Sequence, residues 1–145
     1  MRAKALVLVL GIMCVATVAD ARDDILRLPL ADVLSSPDAK AKLDPGVALY
    51  FGKQPYATPA ARMNVTTANK KTNFFNKSDV EGCEWAFLSA MISLTQYAQK
   101  VGGNAVVNIR SNYKNNVFSS ETEYECGAGN VTGGTAFIGD VVKLP

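Results

Sequence analysis

The sequence predicts a single α+β domain: a mixed or antiparallel sheet of four to six strands with one long helix packed on one face. Three observations lead there. A capped helical period runs from Ser78 to a glycine pair at Gly102-Gly103. Short runs rich in β-branched and aromatic residues lie on both sides of it. One cysteine, Cys83, falls on the helix and another, Cys126, on a strand, so the two layers can be tied together.

In chain order, residues 1–21 read as a cleaved signal peptide. Arg2 and Lys4 precede an apolar run from Ala5 to Val18, and Ala19-Asp20-Ala21 has the small-x-small form of a cleavage site. The run is short for a membrane span. Cys14 follows Met13, where a lipoprotein signal needs a small residue, so it reads as an ordinary apolar leader position. The domain is then residues 22–145, long enough for a real core.

Arg22–Leu28 is read as extended. Pro29–Leu34 suits a short helix with proline in its first turn, and Ser36-Pro37 opens a second one through Lys42. Asp44-Pro45-Gly46 is a turn. Val47–Phe51 is an apolar strand, and Lys53–Ala61, with Pro55 and Pro59, is a loop. Arg62–Asn69 alternates around Met63, Val65 and Thr67 and reads as a strand. Lys70–Lys77 is then a polar connection in which Phe74 and Phe75 pack on the helix start, or else form an exposed binding patch.

For the long helix, Ser78 and Glu81 have the spacing of a capping box. At about 100° per residue Cys83, Phe87, Ala90, Met91, Leu94, Ala98 and Val101 share one broad face. Ser89, Ser93, Gln96 and Lys100 form a narrow polar stripe opposite. So wide an apolar face belongs on a sheet. Trp85 falls on the polar side, where a loop covers it or it is an exposed contact residue.

After the helix, Asn104–Tyr113 and Ser119–Cys126 read as two arms of a hairpin with Asn115-Asn116 at the tip. That register puts Ile109 opposite Thr122, Val107 opposite Tyr124 and Ala105 opposite Cys126 on an apolar face. Glu121, Glu123 and Glu125 then form an acidic ladder on the other face, beside Arg110. Cys126 comes to the side where Cys83 points, and the pair is expected to be a disulfide; the alternative is a reactive or metal-binding pair, although two sulfurs without histidine make an incomplete zinc site. Asn130–Thr132 and Thr135–Ile138 extend again, with Gly133-Gly134 as a bulge or kink. Gly139-Asp140 is another turn or bulge before Val141–Leu144.

Composition excludes several chemistries. The chain has no histidine, which removes Ser-His, Cys-His and His-metal arrangements. No phosphate-binding glycine loop is present. Without Arg2, Lys4 and Asp20 the counts fall from 15 to 13 basic and from 13 to 12 acidic residues. The resulting +1, with no dense basic run, points away from nucleic acid. Asn64, Asn76 and Asn130 lie in N-x-[ST] sequons, which matter only in a eukaryotic secretory pathway. The three glutamates are the one cluster of ionisable groups. They stand ~7 Å apart along a strand and are candidate ligands for a hard cation, against the plainer reading of a solvated acidic face.

The helix leading into Gly102-Gly103-Asn104-Ala105-Val106-Val107-Asn108-Ile109 resembles the helix-to-strand core of the YbjQ-like family, labelled heavy-metal-binding, and is similar to the periplasmic domain of the RcsF envelope stress sensor. Pro29-Leu-Ala-Asp-Val33, Ala39–Gly46, Tyr50-Phe-Gly52, Trp85–Ala90 and Glu123-Tyr-Glu-Cys126 extend the resemblance over nearly all of residues 22–145. Over that length the chain resembles small exported proteobacterial proteins often named "excinuclease ATPase subunit". The resemblance implies a mixed sheet with one long helix, ring assembly in some members, and disulfides and an envelope partner in the sensor type. It supplies no catalytic residue.

The functional expectation is a non-enzymatic periplasmic or secreted binding module without cofactor, in a sensor or assembly role. Its partner would be an envelope protein or a second copy. The expected contact surface joins Glu121, Glu123, Glu125 and Arg110 to Phe74, Phe75 and Trp85. The alternatives are a metal-binding protein or carboxylate enzyme using the glutamates, and a structural homo-oligomer.

Overall fold

Ser78 caps the long helix as its position suggests: its Oγ accepts a hydrogen bond from the Glu81 N–H at 3.1 Å. The helix in the computed structural model, which describes residues 22–145, runs Asp79–Lys100. It stops where Gly102 takes φ +85°, a conformation open to glycine. The leader and Cys14 lie outside the described residues.

The element order is β1 (Asp24–Pro29), α1 (Leu30–Ser35), α2 (Pro37–Lys42), β2 (Ala48–Phe51), β3 (Ala61–Asn73), α3 (Asp79–Lys100), β4 (Ala105–Tyr113), β5 (Asn116–Phe118), β6 (Glu123–Ala128) and β7 (Thr132–Lys143). Seven strands form one mixed sheet in the order β1-β6-β7-β4-β2; β3 pairs with β7, and β5 with β4. Among the described residues only β2 and β4 pair in parallel. The fold class is as expected, with more strands than the four to six anticipated because the second hairpin arm divides into β5 and β6.

That hairpin is the main correction. The turn is Lys114-Asn115, with φ +51° and +61°, one residue earlier than expected. Tyr113 pairs with Asn116 and Ser111 with Phe118, and there the pairing ends. Residues 119–122 leave the sheet line, and β6 pairs with β1, Cys126 opposite Leu26 and Glu125 opposite Arg27. The physical reason is that β2, running parallel, occupies the edge of β4 along which the arm would have continued, while β7 holds the other edge.

A second correction concerns the faces of β4. Between Val107 and Arg110 the strand holds one residue more than β7, and Asn108 takes φ +50°. This bulge sits opposite Gly139, on the strand facing the expected break. It returns Ile109 to the helix side with Val106. Ala105 and Val107 face the other way, into a small cluster with Val142, Ala48, Tyr50, Tyr56 and Leu144. The sheet is therefore covered on both faces at this end.

β7 itself is continuous. Gly133 does not kink it; the glycine makes room for Phe74, whose ring would stand 2.5 Å from a Cβ there and 2.6 Å from one at Gly82. Phe74 is thus wedged between helix start and sheet, and β3 runs on to Asn73 through the segment read as a connection.

The main core lies between α3 and the sheet. Phe87 is fully buried, with ring centroids 4.6 Å from Tyr124, 5.6 Å from Phe137 and 6.0 Å from Phe51. Next to it Cys83 and Cys126 form the expected disulfide, with Cα atoms 5.9 Å apart.

Burial, reinforced by the charge of Glu84, raises the Tyr124 phenol above its ordinary value. The sign follows from proton counting. Above about pH 10 the unfolded tyrosine ionises while the folded one keeps its proton. The native state then binds more protons, and stability falls with rising pH by up to about 1.4 kcal/mol per pH unit until the folded group ionises. Urea denaturation between pH 9 and 12 should show this loss, and Tyr124→Phe should flatten the slope by up to one proton.

Candidate functional site

Strand alternation decides which side chains of β3 meet solvent. Thr66, Ala68 and Lys70 turn toward α3, while Val65, Thr67, Asn69, Lys71 and Asn73 are exposed on the opposite face. Thr67, Asn69, Asn112, Lys114 and Asn115 line a groove of about 320 Å³ there, with Ala136 among its walls. The lining is amide, hydroxyl and ammonium, with no carboxylate. Lys114 reaches Asp23 in an ion pair. Such a surface offers hydrogen bonds but no nucleophile activated by a base and no acid paired with a base.

The residues singled out from sequence do not gather into one site. Glu121 lies in the bend before β6, exposed, with its carbonyl accepting from Gln54 Nε2 at 3.0 Å. Glu123 is exposed at the start of β6. Glu125 is nearly buried and pairs with Arg27 at 3.3 Å, and its N–H donates to Ser111 Oγ at 3.0 Å. The expected ladder is therefore broken, and its cation comes from β1. Arg110 instead meets Asp140 at 3.5 Å and the Asn108 carbonyl at 2.9 Å. Among the described residues no three His, Cys, Asp or Glu side chains are placed to hold a metal ion.

Phe74 is buried, so it leaves the expected contact surface, whereas Phe75 is 64 % exposed at the end of β3. Trp85 stands in the second turn of α3 and is 40 % exposed. Lys42 of α2 lies 4.0 Å from its ring centroid, so a short helix, not a loop, gives it partial cover through a cation–π contact.

Arg27 holds Glu125 while stacking 4.2 Å over the Phe118 ring. Its side chain is more than half exposed, so the pair itself is screened. The larger cost on removing it is a nearly buried carboxylate left without its cation. Arg27→Ala is expected to destabilise by about 1–2 kcal/mol. Glu125→Gln in that background should recover part of the loss, measured as a double-mutant cycle in urea.

The groove residues carry no motif in the sequence, because amide and hydroxyl side chains and one lysine have no spacing that marks a site. One signal was present: from Pro45 to Ser78 the chain has five basic residues and no acidic one. No protein-family model, curated protein or solved structure matches the chain. Among the described residues no helix is long and apolar enough to cross a membrane.

Proposed function

We propose that this protein is a non-enzymatic binding module of the bacterial envelope, periplasmic or secreted, in a sensor or assembly role. The observation that carries the reading is the asymmetry of the sheet. One face is closed by α3, and the other carries an uncovered carboxylate-free groove between β3 and the β4–β5 turn. The Cys83–Cys126 disulfide supports an oxidising compartment, and the export leader read in residues 1–21 supports the same place. A mixed sheet with one long helix also agrees with what the YbjQ-like and RcsF-like resemblance implies. That resemblance remains part of the proposal.

Site-specific photo-crosslinking tests the reading. A benzophenone amino acid at Asn69 or Asn112 should trap a discrete envelope component in intact cells. The same group at Ser89, on the exposed stripe of α3, should not. Adducts from Ser89 alone, or from none of the three, would remove the groove face as the binding surface.

A further inference from the structure

Among the described residues no strand pairs with the outer edge of β3, and the geometry of that edge follows from the pairing with β7. Phe74 N–H donates to the Val131 carbonyl, and the register pairs Thr72 with Gly133, Lys70 with Thr135 and Ala68 with Phe137. In an antiparallel ladder the residues two apart from such a pair turn their main-chain groups the same way. The even-numbered residues therefore bond to β7. The N–H and C=O groups of Val65, Thr67, Asn69 and Lys71 point away from it. No backbone or side-chain hydrogen bond among the described residues takes these groups. This is a run of main-chain donors and acceptors long enough for a further strand.

Charge decides what kind of strand fits. Arg62, Lys70 and Lys71 lie on β3 with Lys77 just beyond it, and none of them forms an ion pair among the described residues. The nearest acidic residues in sequence are Asp44 and Asp79. A second copy would bring cations against cations, which is how natural edges avoid self-pairing. An acidic chain meets no such cost. Its side chains on the outer side would pass over Thr67 and Asn69 at the groove, where the row of lining groups is free of carboxylates.

We propose that β3 is a docking edge for an extended, acidic segment of a partner protein, which adds as an eighth strand along Val65–Lys71. This rests on the binding-module reading and gives its partner a chemistry.

The test uses the disulfide-bonded protein and a fluorescent octapeptide alternating glutamate and valine, followed by anisotropy at low salt. The glutamate peptide should bind, with affinity falling as salt rises. The same peptide with lysine for glutamate should bind at least tenfold more weakly, and so should the glutamate peptide with every backbone N–H methylated. Asn69→Pro removes an outward N–H that the fold does not use, so it should weaken binding at least tenfold with an unchanged melting temperature. Lys70→Glu with Lys71→Glu should reverse the preference between the two peptides. Equal binding of the methylated and unmethylated peptides, or no binding of the glutamate peptide, would overturn the proposal. So would a dimer in solution that Asn69→Pro dissolves, since the edge would then belong to a second copy. A component crosslinked at Asn112 whose capture survives both variants would keep the binding module and reject the edge.

Discussion

Replacing Cys83 and Cys126 together by alanine is expected to lower the melting temperature by about 15 °C. The bridge closes a loop with a sequence separation of 43 residues. In the chain-entropy model that constraint on the unfolded state is worth about 4 kcal/mol. A domain of this size gains roughly 0.26 kcal/mol per kelvin of unfolding entropy, which converts the energy into the shift. Calorimetry of the two-site variant beside the oxidised protein measures it. Both cysteines are fully buried in the native state, so a mild reductant should act slowly on folded protein and quickly once urea opens it. A melting shift below about 3 °C would mean that the unfolded chain is already held compact by other contacts.

Phe87→Ala is the second large effect, expected at about 3–5 kcal/mol. The ring has no solvent exposure and touches three other aromatic rings contributed by β2, β6 and β7. Its removal leaves a void that those strands, fixed by their own ladders, cannot close. Phe87→Leu keeps much of the volume and should cost clearly less. Urea denaturation gives both values. Phe87 is one helical turn from Cys83, and their partners Tyr124 and Cys126 are two residues apart on one face of β6. Combining Phe87→Ala with loss of the disulfide should therefore depart from additivity by more than 0.5 kcal/mol. Strictly additive losses would mean that the clip and the aromatic cluster hold the helix independently.

Pairing with Ala105 would turn Cys126 inward, yet its neighbour is Leu26. It faces the core all the same, because a side chain's face is set by parity within its own strand. Tyr124, Cys126 and Ala128 turn to the core whichever strand lies alongside. Parity failed in β4, where Asn108 inserts a bulge that moves Ile109 to the helix side. No local pattern announces a bulge at an asparagine inside an apolar run. The acidic ladder failed for a related reason: it needed one unbroken arm from residue 119 to 126, and the chain turns away before Glu123 to reach β1.

The candidate site was less legible than the core. Hydrophobic burial imposes a period that can be read along the chain, so α3, its cap, its glycine stop and its buried face were all visible in the residues. The groove joins Thr67 and Asn69 to Asn112, Lys114 and Asn115 across β7, and no period links them. What the residues determined by themselves is local: the long helix, the two short ones, most strand segments, the absence of histidine chemistry and the pairing of Cys83 with Cys126. What only the tertiary structure decided is adjacency. It set β6 beside β1, gave Glu125 to Arg27, buried Phe74 while leaving Phe75 outside, and left β3 as an open basic edge. Strand pairing depends on which edges other strands have already taken, and that competition is settled by the whole sheet.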